Sequence, residues 1–223
     1  MTMQNNEPTA VQKVRNQMKE SKALAHISDM EHGVIAVVGS GKQGKSASLH
    51  SLISLCQPDR KVTMLDPMEI DMSIFPDSYR HAKSIKDVDV GDIVVIEDVN
   101  RVFHSRGSGK DATLQRWLGI ISHRSNLVCF TSQSLAATDL EFMRSQDTVI
   151  VNKYMHPTDL VFERESMVPT QTVANEWIDI ASKDSKADRR SWCFFPNWNE
   201  LISIPLVDWW GFRHSHMLRD VVL

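Results

Sequence analysis

Gly33-Val34-Ile35-Ala36-Val37-Val38-Gly39-Ser40-Gly41-Lys42-Gln43-Gly44-Lys45-Ser46 is the stretch that decides how the rest of this chain is read. Its first half is a continuous apolar run, mostly β-branched, and ends at a glycine. A run with no polar alternation predicts a strand buried on both faces, as in a parallel sheet. Its second half, from Gly39 to Ser46, fits G-x-x-x-x-G-K-[S/T] without a mismatch. At ordinary glycine frequency that pattern arises by chance in about one chain in a hundred of this length. Glycines let the backbone wrap closely and aim successive N–H groups at phosphate oxygens. The helix that follows presents its positive end to the same anion. Gly39, Ser40, Gly41, Lys42, Gln43 and Gly44 thus form a candidate phosphate cradle. Lys45 supplies a point charge to the β- and γ-phosphates, and Ser46 offers a hydroxyl to Mg²⁺. The plainer alternative is a strand-to-helix turn. Leu49, Leu52, Ile53 and Leu55 then predict a helix over 45–55, which Pro58-Asp59 ends.

Outward from this stretch, the chain alternates strands and helices. Strands are expected over 61–65, 93–96, 127–130 and 148–151, and a helix over 112–122 from the spacing of Leu114, Trp117, Leu118 and Ile121. That alternation implies βαβ units and an α/β fold, mainly a parallel sheet with helices on both faces. Residues 67–90 are acidic and broken by Pro67 and Pro76, and they receive no assignment. Residues 9–28 suit a basic amphipathic helix, either a solvated surface helix or an arm facing DNA or another subunit. A helix over 173–181 and a charged loop over 183–190 are expected beyond the core. Residues 192–212 are rich in aromatics. The organisation expected is an arm over 1–30 and one domain over 31–223, with an aromatic-rich extension from about residue 184.

The strand Ile93-Val94-Val95-Ile96 ends in Glu97-Asp98. Ligands in open α/β sheets bind at the carboxyl ends of strands. A phosphate loop needs one carboxylate in the Mg²⁺ shell and a group to orient the attacking water. Glu97 and Asp98 are assigned to these two tasks jointly. The commoner order is Asp then Glu, so the reversed order leaves the split open. Thr131-Ser132-Gln133-Ser134 ends the next strand and is either a plain polar strand exit or a place where Gln133 contacts the γ-phosphate or the water.

Taken together, three motifs resemble the FtsK/HerA group of P-loop ATPases: GSGKQGKS, IVVIEDV and HRSNLVCFTSQS. The chain looks most like the genome-packaging ATPases of tailless phages with an internal membrane, the tectivirus type. The resemblance spans roughly residues 33–152 and implies a P-loop NTPase fold of the RecA-like, FtsK/HerA type. It implies ATP and Mg²⁺ as cofactors and a ring-forming motor, usually a hexamer. Such a motor moves double-stranded DNA into a preformed capsid and docks on vertex or portal-like proteins. It acts in the host cytoplasm during assembly, with retention in the virion as an option. A neighbouring subunit's arginine often completes such a site. Arg124 is the first candidate by motif position, followed by Arg101, Arg106 and Arg116.

Composition bounds these readings. The 223 residues carry 25 Lys+Arg against 28 Asp+Glu, which excludes a uniformly basic nucleic-acid coat but not a local basic patch. Residues 101–124 hold five cations against Asp111 alone, so the loop over 101–110 is either a DNA-facing channel loop or a surface loop. Cys56, Cys129 and Cys193 show neither a disulfide framework nor zinc spacing. No signal-peptide pattern and no apolar run of membrane-spanning length is present, so a soluble intracellular protein is expected. Trp209-Trp210 packs either on the core or on a neighbouring subunit. A small-molecule kinase shares the phosphate loop but needs an acceptor pocket and usually an arginine-rich lid, and no clear lid is found. A nucleotide-gated assembly or export factor is the third option.

Overall fold

In the computed structural model, residues 20–99, 119–133, 147–153 and 190–215 are described, and the apolar runs among them pair into one sheet. In chain order the strands are β1 (Gly33–Val38), β2 (Val62–Leu65), β3 (Tyr79–Ala82), β4 (Ile93–Ile96), β5 (Leu127–Ser132), β6 (Thr148–Asn152), β7 (Arg190–Phe194) and β8 (Asn199–Ser203). Their order across the sheet is β3-β2-β4-β5-β1-β6-β7-β8. All pairings from β3 through β6 are parallel, and β7 and β8 add an antiparallel edge. The α/β architecture read from the sequence is the one observed.

Every residue of β1, β4 and β5 is buried, because these strands lie in the middle of the sheet with both faces covered. Alternate residues divide between two cores. Ile35, Val37, Ile93, Val95, Leu127 and Cys129 face one cluster; Val34, Ala36, Val38, Val94, Ile96, Val128 and Phe130 face the other. The first cluster is covered by α1 (Lys22–Asp29), through Ala23, Leu24 and Ile27, and by α2 (Lys45–Cys56), through Leu49, Leu52 and Ile53. Each of these buried leucine and isoleucine side chains contributes about 1.5–3 kcal/mol over leaving it in water. Ser21 caps α1 by accepting from the Leu24 N–H at 3.2 Å.

Gly33 opens β1 at φ +122°, where a β-carbon would stand 2.6 Å from the Asp147 carbonyl oxygen. That close approach lets Val34 N–H reach the same oxygen at 3.1 Å and seat β6 against β1.

Two unassigned stretches gain structure and one expectation changes. Residues 67–90 contain β3 and two short 3₁₀ turns, Met72–Ile74 and Ile85–Asp87. The aromatic-rich segment contributes the β7–β8 hairpin and a short α3 (Phe212–Ser215). Residues 119–122, the last part of the helix expected over 112–122, form turns and not a helix. The rest of that helix, the helix over 173–181, the loop at 101–110 and the arm over 1–19 lie outside the described residues. The three cysteines are buried and unpaired with one another. No helix among the described residues is long and apolar enough to cross a membrane.

Candidate phosphate-binding site

The carboxyl edge of the sheet is where the motifs meet. β1 delivers the chain to Gly39, whose N–H donates to the Ser132 carbonyl at 3.3 Å, so the loop leaves the sheet between β5 and β6. Lys42 at φ 63° and Gly44 at φ 72° turn the backbone through left-handed conformations that close the loop. α2 then starts at Lys45. Gly44 occupies its N-cap without a side-chain cap, and the first turn holds no acid. The positive end of a twelve-residue helix therefore faces the loop without an anionic side chain of its own. Lys45 Nζ donates to the Ser40 carbonyl at 2.9 Å, which holds the ammonium across the loop.

Ser46, the next residue of α2, donates its hydroxyl to Glu97 Oε2 at 2.8 Å. This contact joins the phosphate loop to the end of β4, two strands away in the sheet. Glu97 is 4% exposed. Thr131, near the end of β5, donates to the same oxygen at 2.8 Å and accepts from the Asp98 N–H at 2.8 Å. His50 Nε2 takes the other oxygen, Oε1, at 3.1 Å. Burial pushes the Glu97 carboxyl up, but the hydrogen bond from His50, followed by those from Thr131 and Ser46, outweighs it and holds the group below the ordinary glutamate range.

Asp98 differs from its neighbour. Its backbone is left-handed at φ 51°, it is half-buried, and its carboxylate makes no hydrogen bond or ion pair among the described residues. Gln133 is exposed and follows Ser132, the residue bonded to Gly39, so it too stands beside the loop. The structure thus brings together the cradle Gly39 to Gly44 with Lys45, Ser46, Glu97, Asp98 and Gln133.

It does not bring Arg124 to them. Arg124 precedes β5 at the opposite edge, about 20 Å away by strand length. Its guanidinium donates to the Val88 carbonyl at 2.6 Å and to Asn126 Oδ1 at 3.1 Å. Arg101, Arg106 and Arg116 lie outside the described residues. Trp210 is buried in the first core cluster, and Trp209, half-buried, packs against it.

Two participants escaped the sequence reading. His50 lies four residues after Ser46, on the same face of α2, and Thr131 was read only as part of a polar strand exit. A cleft of ≈ 380 Å³ also opens between the loop and the segment after β8, lined by Lys42, Gln43, Ala47, Ser48, Ile204, Leu206 and Trp210, among others.

No protein-family model matches the sequence, and no curated protein matches it significantly. Solved structures do match in three dimensions. The genome packaging NTPase B204 of Sulfolobus turreted icosahedral virus 2, in complex with ATP-gammaS, aligns over 80% of this chain and 100% of its own, with TM-score 0.54 and 14% identity. Its AMP complex aligns over 79% and 98%, with TM-score 0.53 and 12% identity. The DNA-packaging ATPase B204 of Sulfolobus turreted icosahedral virus aligns over 76% and 96%, with TM-score 0.50 and 11% identity. At such identities the likeness is one of fold, and the chain shares the P-loop NTPase fold of these packaging enzymes.

Proposed function

We propose that this chain is an ATP-hydrolysing motor that packages a double-stranded DNA genome into a viral capsid. The observation that carries the reading is the 2.8 Å contact between Ser46 and Glu97, which sets the acidic strand end against the phosphate loop. The loop N–H groups and the start of α2 cradle the phosphates, and Lys45 neutralises charge at the β- and γ-positions. The likeness to nucleotide-bound packaging NTPases supports the same reading. The ≈ 380 Å³ cleft beside the loop has room for the base and ribose.

Mg²⁺ fits the donor set. Ser46 and Glu97 are hard oxygen donors side by side, and among the described residues no cluster of three or more His, Cys, Asp or Glu forms a complete protein cage. Mg²⁺ is characteristically held in this way, by one or two protein oxygens plus substrate phosphates. Bound there, it neutralises charge on the phosphate oxygens. Glu97, engaged with Ser46, takes the metal role. Asp98, whose carboxylate is uncommitted among the described residues, takes the role of orienting water. Gln133 reports the state of the γ-phosphate.

Arg124 serves the neighbouring subunit of a homo-oligomeric ring, since it stands at the edge facing away from its own loop. The cations at 101–110 contact DNA phosphates in the channel. The ring docks on a capsid vertex or portal-like protein and works in the host cytoplasm during assembly.

ATP hydrolysis with and without double-stranded DNA, wild type beside Lys45→Ala, tests the reading. DNA should stimulate the wild type, and Lys45→Ala should bring turnover to background. Full activity in Lys45→Ala overturns the site. Hydrolysis indifferent to DNA returns the assembly-factor reading, and transfer to a small acceptor returns the kinase.

A further inference from the structure

The helix that presents Ser46 presents a second side chain to Glu97 one turn later. His50 is 0% exposed, and its Nε2 meets Oε1 while Ser46 and Thr131 occupy Oε2. An ionised carboxylate only accepts hydrogen bonds, so Nε2 carries the hydrogen. In that tautomer Nδ1 is an acceptor, and the Tyr79 hydroxyl 3.1 Å away is its donor. Burial raises the Tyr79 phenol, which keeps its proton available for this bond.

The ring itself is boxed in. Trp210 stacks on it at 4.9 Å and 24°, Phe75 lies at 5.7 Å and Trp209 at 6.0 Å. Three separate parts of the chain therefore converge on one imidazole: the turn before β3, β3 itself, and the segment after β8. A surface histidine or a plain core filler needs none of this. Glutamate also has one more rotatable bond than aspartate. With Oε1 unheld, its carboxylate turns about the terminal torsion and Oε2 leaves Ser46.

We propose that His50 is a positioning residue, which fixes the Glu97 carboxylate so that Oε2 faces Ser46 and a metal ion bound beside it. The proposal rests on the reading above that Ser46 and Glu97 hold the metal. Partners that orient a metal ligand change metal affinity by about 10–100-fold when removed.

The test uses the full chain with Mn²⁺ as probe, titrated by electron paramagnetic resonance at saturating ATPγS, beside ATPγS affinity measured without metal. His50→Phe keeps an aromatic ring in the box and removes the donor. It should weaken Mn²⁺ binding by about 10–100-fold and leave metal-free ATPγS affinity within about twofold. His50→Gln places an amide nitrogen near the position of Nε2 and should recover most of the loss. Tyr79→Phe leaves His50 in place but takes away the partner that holds Nδ1, and should give a smaller loss in the same direction.

Mn²⁺ affinity equal to wild type in both His50→Phe and Tyr79→Phe overturns the proposal. Equal losses of metal-free and metal-dependent nucleotide binding overturn it too, because they describe a general packing role. Should His50→Phe not fold, Tyr79→Phe decides alone, and wild-type affinity there overturns the proposal. Failure of the underlying site is distinguishable: the wild type itself then takes up no Mn²⁺ with ATPγS.

Discussion

The two edges of the parallel sheet use charge in opposite ways. At the carboxyl edge, one buried carboxylate is surrounded by three side-chain donors on α2 and β5, and a lysine lies across an N–H-rich loop. At the amino edge, guanidinium groups tie down backbone carbonyls. Arg60 donates to Gly91 through Nε and Nη2, at 3.1 and 2.8 Å, and reaches Ser125 at 2.7 Å and Met30 at 3.3 Å. Arg80 pairs with Asp92, which also accepts from Thr63, and Arg124 holds Val88. Carbonyls that enter strands at the amino edge need donors, and arginine's planar fork supplies several from one side chain. An arginine in a motif is not read from its type alone: its present partners show what else it does.

Arg124 breaks the comparison most sharply, since it is both a carbonyl clamp and the candidate trans-acting arginine. If it completes a neighbour's site, Arg124→Ala lowers ATP turnover by on the order of 10³-fold. Mixing Arg124→Ala with Lys45→Ala subunits should then restore part of the activity, because each lacks a different half of a shared site. Turnover of wild-type size in Arg124→Ala assigns it to structure, beside Arg60.

Arg60 is the control from the same edge. Arg60→Ala leaves the Gly91, Ser125 and Met30 carbonyls short of a charged donor, which should cost about 1.5–3 kcal/mol in urea unfolding. Turnover per folded molecule should stay at the wild-type level. A large loss of turnover with unchanged stability would erase the distinction between the two edges.

Much of this arrangement was legible in the sequence, and the failures have physical reasons. β1, β4 and β5 are central strands with both faces buried, so they read as unbroken apolar runs ending in the motif residues. β3 escaped because it is an edge strand of Tyr79, Arg80, His81 and Ala82, whose middle two residues are only half-buried. β7 does alternate, but its buried positions are Ser191 and Cys193 while Trp192 and Phe194 are less covered, which inverts the usual hydrophobic signal. The offset from Ser46 to His50 was visible as helical spacing. Its partner was not, because Glu97 reaches that helix only through the order β4-β5-β1. The same order delivers Thr131, whose hydroxyl links Glu97 to the backbone of Asp98 and separates two acids that are equivalent in sequence.

The smallest effect tests that separation through pH. Burial opposes ionisation of Glu97, yet His50, Thr131 and Ser46 overcome it, so its folded-state value lies below the ordinary 4.5. A group whose pKa is depressed by folding adds stability above its unfolded value, and that contribution disappears as pH falls through the folded value. The wild type should therefore be more stable than Glu97→Gln near neutrality, and the gap should narrow as the medium is acidified below pH 4.5. Urea unfolding of both proteins from pH 7 to pH 3 measures it. An unchanging gap would mean that the Glu97 charge is no better accommodated in the fold than in the unfolded chain. The carboxyl edge would then be as purely structural as the arginine clamps opposite it.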